Sequence, residues 1–145
     1  MQYSTEIKID LPRERVIELF DSWENIFKWQ EGLKSCDLIS GEEGKAGAKT
    51  KLVYDMKGRR TEMVETIVKR EFPDEFTATY DAKGVHNLVE NHFYEEGPDK
   101  TRWTMENDFN FSGLMKLMGF FMGGQFPKET LKGMNNFNEF AEKVE

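Results

Sequence analysis

Tyr3, Thr5, Ile7 and Ile9 alternate with Ser4, Glu6 and Lys8. A period of two predicts a strand with one buried face. Pro12 fits the first turn of a helix, where a missing N–H costs nothing. Val16, Ile17, Leu19 and Phe20 follow at helical spacing, and Trp23, Ile26, Phe27 and Trp29 predict a second short helix that Gly32 ends. From Leu33 to Phe111 the texture becomes extended. Segments Leu33–Ile39, Ala48–Met56, Arg60–Phe72, Glu75–Ala82, Val85–Glu95 and Lys100–Phe111 are separated by turn signals such as Lys57-Gly58, Pro73-Asp74, Lys83-Gly84 and Gly97-Pro98-Asp99. Short turns between consecutive strands imply antiparallel hairpins, so with the first strand a sheet of about seven strands is expected. After Ser112 the period becomes helical: Leu114, Leu117, Met118, Phe121 and Met122, then Met134, Phe137, Phe140, Ala141 and Val144. Pro127 interrupts that stripe and predicts a kink or two helices in sequence. Strands followed by a long amphipathic helix make an α+β, two-layer pattern.

Composition narrows the function classes. The chain has 145 residues, within the roughly 100–200 expected of one domain, so residues 1–145 are read as a single domain. Aromatics at 13% argue against disorder. A net charge of -7 argues against a nucleic-acid surface and against stable docking on anionic lipid. Cys36 is alone and makes no internal disulfide. No apolar run reaches the roughly 18 residues of a membrane span, so a cytoplasmic protein without stable membrane insertion, monomer or homodimer, is expected.

The layout resembles the START-like superfamily, the polyketide cyclase/dehydrase, lipid-transfer and birch-pollen-allergen-like proteins also called SRPBCC. Several features carry the resemblance: the opening strand through Ile9 with Leu11-Pro12 starting a helix; Trp29 before the second strand; Gly44 and Gly47 before the third; Glu65-Thr66-Ile67 leading into Phe72-Pro73-Asp74; Lys100-Thr101-Arg102-Trp103 opening the last strand; and the C-terminal helix. It implies a helix-grip fold, a curved antiparallel sheet wrapped around a long C-terminal helix with two short helices after the first strand. It also implies a cavity between sheet and helix that binds or carries a hydrophobic small molecule: a lipid, polyketide or aromatic compound. The alternative is a polyketide cyclase/dehydrase-type enzyme using the same cavity. The superfamily has no shared catalytic motif to transfer, and fold alone does not assign an activity.

Strand parity selects the expected cavity wall. From the sheet and the region before it come Trp29, Tyr54, Phe76, Tyr80, Val89, Asn91, Phe93, Trp103, Met105, Asn107 and Phe109; from the C-terminal segment come Met118, Phe121, Met122, Gln125, Met134 and Phe137. Asn91, Asn107 and Gln125 are the expected anchors for a polar end of the ligand, since pockets are mostly apolar with a few placed polar groups. In the strand from Val85, the face of Asn87, Val89, Asn91 and Phe93 is placed inward, because burying Glu90 and His92 unpaired is expensive. The opposite register turns Glu90 and His92, about 6–7 Å apart along the strand, into an acid–base pair in the cavity. Tyr80 is the other acid–base candidate. His86 and His92 lie about 20 Å apart on an extended strand and cannot share an ion; with no zinc spacing, no metal and no cofactor are expected. The stretch 114–126 combines Met and Phe with Gly119, Gly123 and Gly124, and reads as core, lid over the cavity mouth, or partner or membrane contact.

Overall fold

A computed structural model describes residues 1–144. In chain order the elements are β1 (Gln2–Ile9), α1 (Arg13–Phe20), α2 (Ile26–Trp29), β2 (Leu33–Ser40), β3 (Lys49–Met56), β4 (Arg59–Glu71), β5 (Glu75–Ala82), β6 (Val85–Gly97), β7 (Lys100–Phe111), α3 (Met115–Met122) and α4 (Gln125–Lys143). The strands form one seven-stranded sheet in the order β1-β7-β6-β5-β4-β3-β2, antiparallel throughout. Five hairpins lay down β2 to β7 in sequence, and β1 returns to pair with β7. At the β3–β4 corner Lys57 and Gly58 both have positive φ, 56° and 79°. That is the backbone of a two-residue turn whose twist matches the flanking strands.

α4 grips the inner face of this curved sheet. Its Met134, Phe137 and Ala141 are buried in one cluster with Ile7 and Ile9 of β1, Val16 and Leu19 of α1, Phe93 of β6 and Trp103 of β7. Phe20 sits at the centre of the aromatic part, with ring centroids 5.1–6.3 Å from Trp29, Phe72, Phe76, Phe93, Trp103 and Phe137. Each such buried side chain contributes about 1.5–3 kcal/mol, which holds α1, α2 and α4 against the sheet.

The C-terminal segment does form two helices in sequence, but the break falls at Gly123-Gly124. Pro127 lies in the first turn of α4, where no intrahelical bond is lost. β4 carries a bulge between Ile67 and Lys69. Val68 is the extra residue, half exposed, and beyond it the inward parity shifts by one.

Candidate functional site

Between α1, α2, α4 and the inner face of the sheet lies a cavity of about 360 Å³, within the size range of small-molecule sites. Its apolar body is formed by Phe20, Trp29, Leu52, Ile67, Phe72, Phe76, Val89, Trp103, Met105 and Met134. The mouth carries two ion pairs: Arg70 with Asp21, and Lys132 with Glu31 at 3.4 Å. Each joins a sheet or α4 residue to the α1–α2 region, so the opening is framed by charges that can part without disturbing the core.

One end of the inner face is polar. Thr50, Glu65, Tyr80 and Asn87 stand opposite one another across β3, β4, β5 and β6, so they share one face in one transverse row. Glu65 is only 6% exposed and accepts a 2.8 Å hydrogen bond on Oε2 from the Tyr80 hydroxyl. Burial raises the Glu65 carboxyl above its ordinary range, outweighing the Tyr80 bond that favours the charge. Burial, and then the nearby Glu65 charge, raise Tyr80 as well. The Tyr54 hydroxyl donates to Gln30 Oε1 at 2.5 Å, and Gln30 lines the cavity. Cys36 is pushed up to about 11, by burial first and then by the charges of Glu65 and Asp37; it is held as a thiol and not as a nucleophilic thiolate. Trp29 Nε1 is buried without a hydrogen-bond partner among the described residues.

Of the residues expected at the wall, Trp29, Phe76, Tyr80, Val89, Asn91, Trp103, Met105 and Met134 line this cavity together. Tyr54 reaches it through Gln30. Phe93 and Phe137 lie in the closed core. Phe109 is taken up by rings instead, with centroids 6.1 Å from Tyr3, 5.5 Å from Phe111 and 5.0 Å from Phe126. The polar anchors differ most from expectation. Asn91 is at the wall, but its amide is already used: Nδ2 donates to the Phe76 carbonyl and Oδ1 accepts from Trp103 Nε1. Asn107 is outside the wall and accepts from Asn87 Nδ2 at 2.9 Å. Gln125 is exposed at the start of α4. Met118, Phe121 and Met122 also fall outside the wall, because α3 packs on the β5–β6 turn and the Phe111 ring and not over the cavity. Met115 packs on Gly84 and Gly119 on the Phe111 ring, which turns Leu117, Phe120 and Phe121 outward.

Glu65 was missed as a site residue although its parity with Met63 and Ile67 places a carboxylate in the inward row. Arg70 and Phe72 were not recoverable by parity, since the Val68 bulge reverses the alternation before them. β6 turns Asn87, Val89, Asn91 and Phe93 inward. Glu90 and His92 therefore lie on the outer face, where they make no acid–base pair in the cavity. There they join Glu75, with their ligating atoms within 4.8 Å of one another. Glu75 is already engaged by Thr77 at 2.6 Å and Lys69 at 3.3 Å.

The fold places the chain among solved structures of low identity. A conserved protein from Geobacillus kaustophilus superposes with TM-score 0.81 at 15% identity, covering 99% of this chain and 96% of that one. An aromatase/cyclase from a Streptomyces species gives 0.80 at 11%, covering 99% and 94%. A START superfamily protein from Mycobacterium smegmatis gives 0.75 at 12%, covering 99% of both. No curated protein matches the sequence. A family model matches residues 1–141, nearly the whole sheet-and-helix unit just described, and the chain belongs to that family, polyketide cyclase / dehydrase and lipid transport.

Proposed function

We infer that the chain binds or carries a hydrophobic small molecule with one hydrogen-bonding end, of the lipid, polyketide or aromatic class. The observation that carries this reading is the division of the cavity. An aromatic and aliphatic body surrounds its volume, and a buried, hydrogen-bonded polar corner at Glu65 and Tyr80 opens onto it. Apolar surface supplies the affinity, at about 25 cal/mol per Å² buried. The corner fixes orientation, because a ligand carbonyl or hydroxyl there meets a buried O–H and not water. A ligand lacking that group leaves Tyr80 and Glu65 bonded to each other and so loses orientation more than affinity.

Gly133 provides the test. It lines the cavity on α4, and a side chain added there meets nothing within 4 Å. Gly133→Leu fills ligand space while improving helix propensity by up to about 1 kcal/mol. Binding of 1-anilinonaphthalene-8-sulfonate, followed by its fluorescence, should weaken at least about tenfold in a variant no less stable than the wild type. Native mass spectrometry of the wild type should detect a small-molecule adduct that the variant lacks. Equal probe binding by both proteins would overturn the reading.

A second reading, a cyclase/dehydrase-type enzyme, is favoured by Glu65 alone. A carboxyl that burial raises above its ordinary range, next to a tyrosine hydroxyl, is suited to general acid catalysis. It would deliver its proton to the hydroxyl leaving as water from a bound β-hydroxy carbonyl compound, and the carboxylate so formed would take the acidic α-proton, so that the C–O and C–H bonds broken give the conjugated alkene and Glu65 ends protonated. Under this reading Glu65→Gln retains probe binding and abolishes turnover of such a compound.

A further inference from the structure

The largest exposed apolar surface belongs to α3. Leu114 is 86% exposed, Leu117 58%, Phe120 81% and Phe121 75%. At 100° per residue these four fall on one side of the helix. Met115 and Gly119 face the opposite side and are the residues seated on Gly84 and Phe111. The helix is thus amphipathic in reverse: its small or flexible residues face the protein and its largest apolar residues face outward. Soluble proteins rarely leave such a contiguous patch without a use.

Charge identifies the occupant. From Phe109 to Lys128 the chain contains no carboxylate and two lysines, Lys116 and Lys128, in a protein of net charge -7. A further lysine, Lys83, stands in the turn against which Met115 packs. At physiological salt, charges more than about 8 Å away are largely screened, so a surface approaching α3 meets first Lys116 on the helix itself and Lys83 in the turn beneath it, while Asp81 beside that turn is bonded to His86. We propose that α3 is a peripheral docking element for a membrane surface carrying anionic headgroups. Leu114, Leu117, Phe120 and Phe121 enter the headgroup–acyl boundary, and Lys116 remains at headgroup level. Eight residues of helix are about 12 Å long, far short of a span, so the helix lies in the interface. No helix among the described residues is long and apolar enough to cross a membrane. The proposal is independent of what the cavity holds, because α3 contributes nothing to the cavity wall.

The test is flotation of the full chain with vesicles of phosphatidylcholine mixed with phosphatidylglycerol, and with vesicles of phosphatidylcholine alone. The wild type should float with the mixed vesicles, and Leu117→Glu/Phe120→Glu should reduce the bound fraction at least about tenfold. Lys116→Glu should weaken binding to the mixed vesicles and leave binding to phosphatidylcholine unchanged. Both substituted positions of the double variant are exposed, and unchanged binding of the cavity probe reports that the fold is intact. Equal flotation of wild type and double variant would overturn the proposal. So would absence of flotation, including the case in which light scattering shows a wild-type dimer that the double variant splits, which assigns the patch to a second copy of the chain.

Discussion

α3 and α4 are neighbours in one C-terminal segment, yet they meet the sheet in opposite ways. α4 buries Met134, Phe137 and Ala141 and contributes to the cavity. α3 has no buried residue and holds on through Met115 and Gly119. Hydrophobicity alone does not explain the difference, since α3 is the more apolar of the two. Position does: α4 lies over the concave centre, where both layers are available, and α3 lies at the end of β6 and β7, where only an edge remains. An apolar helix is buried where the sheet offers it a second layer, and elsewhere it remains a surface.

The sharpest way to break this comparison is to truncate one phenylalanine from each helix. Phe137→Ala should cost about 3–5 kcal/mol, because the ring is fully buried against Phe20, Trp29, Trp103 and Phe140, which cannot collapse onto the gap. Phe120→Ala should stay within about 0.5 kcal/mol of wild type. Urea unfolding of both variants decides it, and similar losses would mean that α3 is core.

The second effect depends on pH and contrasts the two buried polar pairs. Glu65 titrates and the Asn87–Asn107 pair does not. Because the folded carboxyl is raised above its unfolded value, the native state holds the proton longer as pH rises. The stability associated with a neutral Glu65 is therefore complete below the unfolded carboxylate range and is lost as pH rises through the folded value. Glu65→Gln keeps an acceptor for Tyr80 and removes this loss. Its advantage over wild type in thermal denaturation should be absent in acid and grow toward neutral pH. A stability difference independent of pH would place Glu65 in contact with water.

The smallest effect concerns the joint between the helices. Gly124 has φ -68° and open space where a Cβ would stand. Gly124→Ala should stabilise by about 0.4–1 kcal/mol. At Gly123 the same Cβ would meet the Gly119 carbonyl oxygen at 2.8 Å, so Gly123→Ala should give none of that gain. Equal gains measured by calorimetry would show that the joint relaxes freely.

The sequence by itself determined the strands, their antiparallel order and the long closing helix. Period-two alternation, paired turn residues and a 3.6-residue stripe are local signals that need no partner to be legible. It favoured the face of β6 that turns inward, since Glu90 and His92 are costly to bury beside Val89 and Phe93, but it left the opposite register open until β6 was paired. The tertiary structure decided the rest of the site. A bulge at Val68 brings Arg70 and Phe72 to the cavity, and no alternation rule anticipates one extra residue. The row of Thr50, Glu65, Tyr80 and Asn87 exists only once four strands are in register. The fate of 114–126 was likewise undecided by its own residues, because the same apolar helix is core over a concave sheet and surface at its rim. What covers a side chain is a property of its neighbours in space, and those neighbours come from distant parts of the chain.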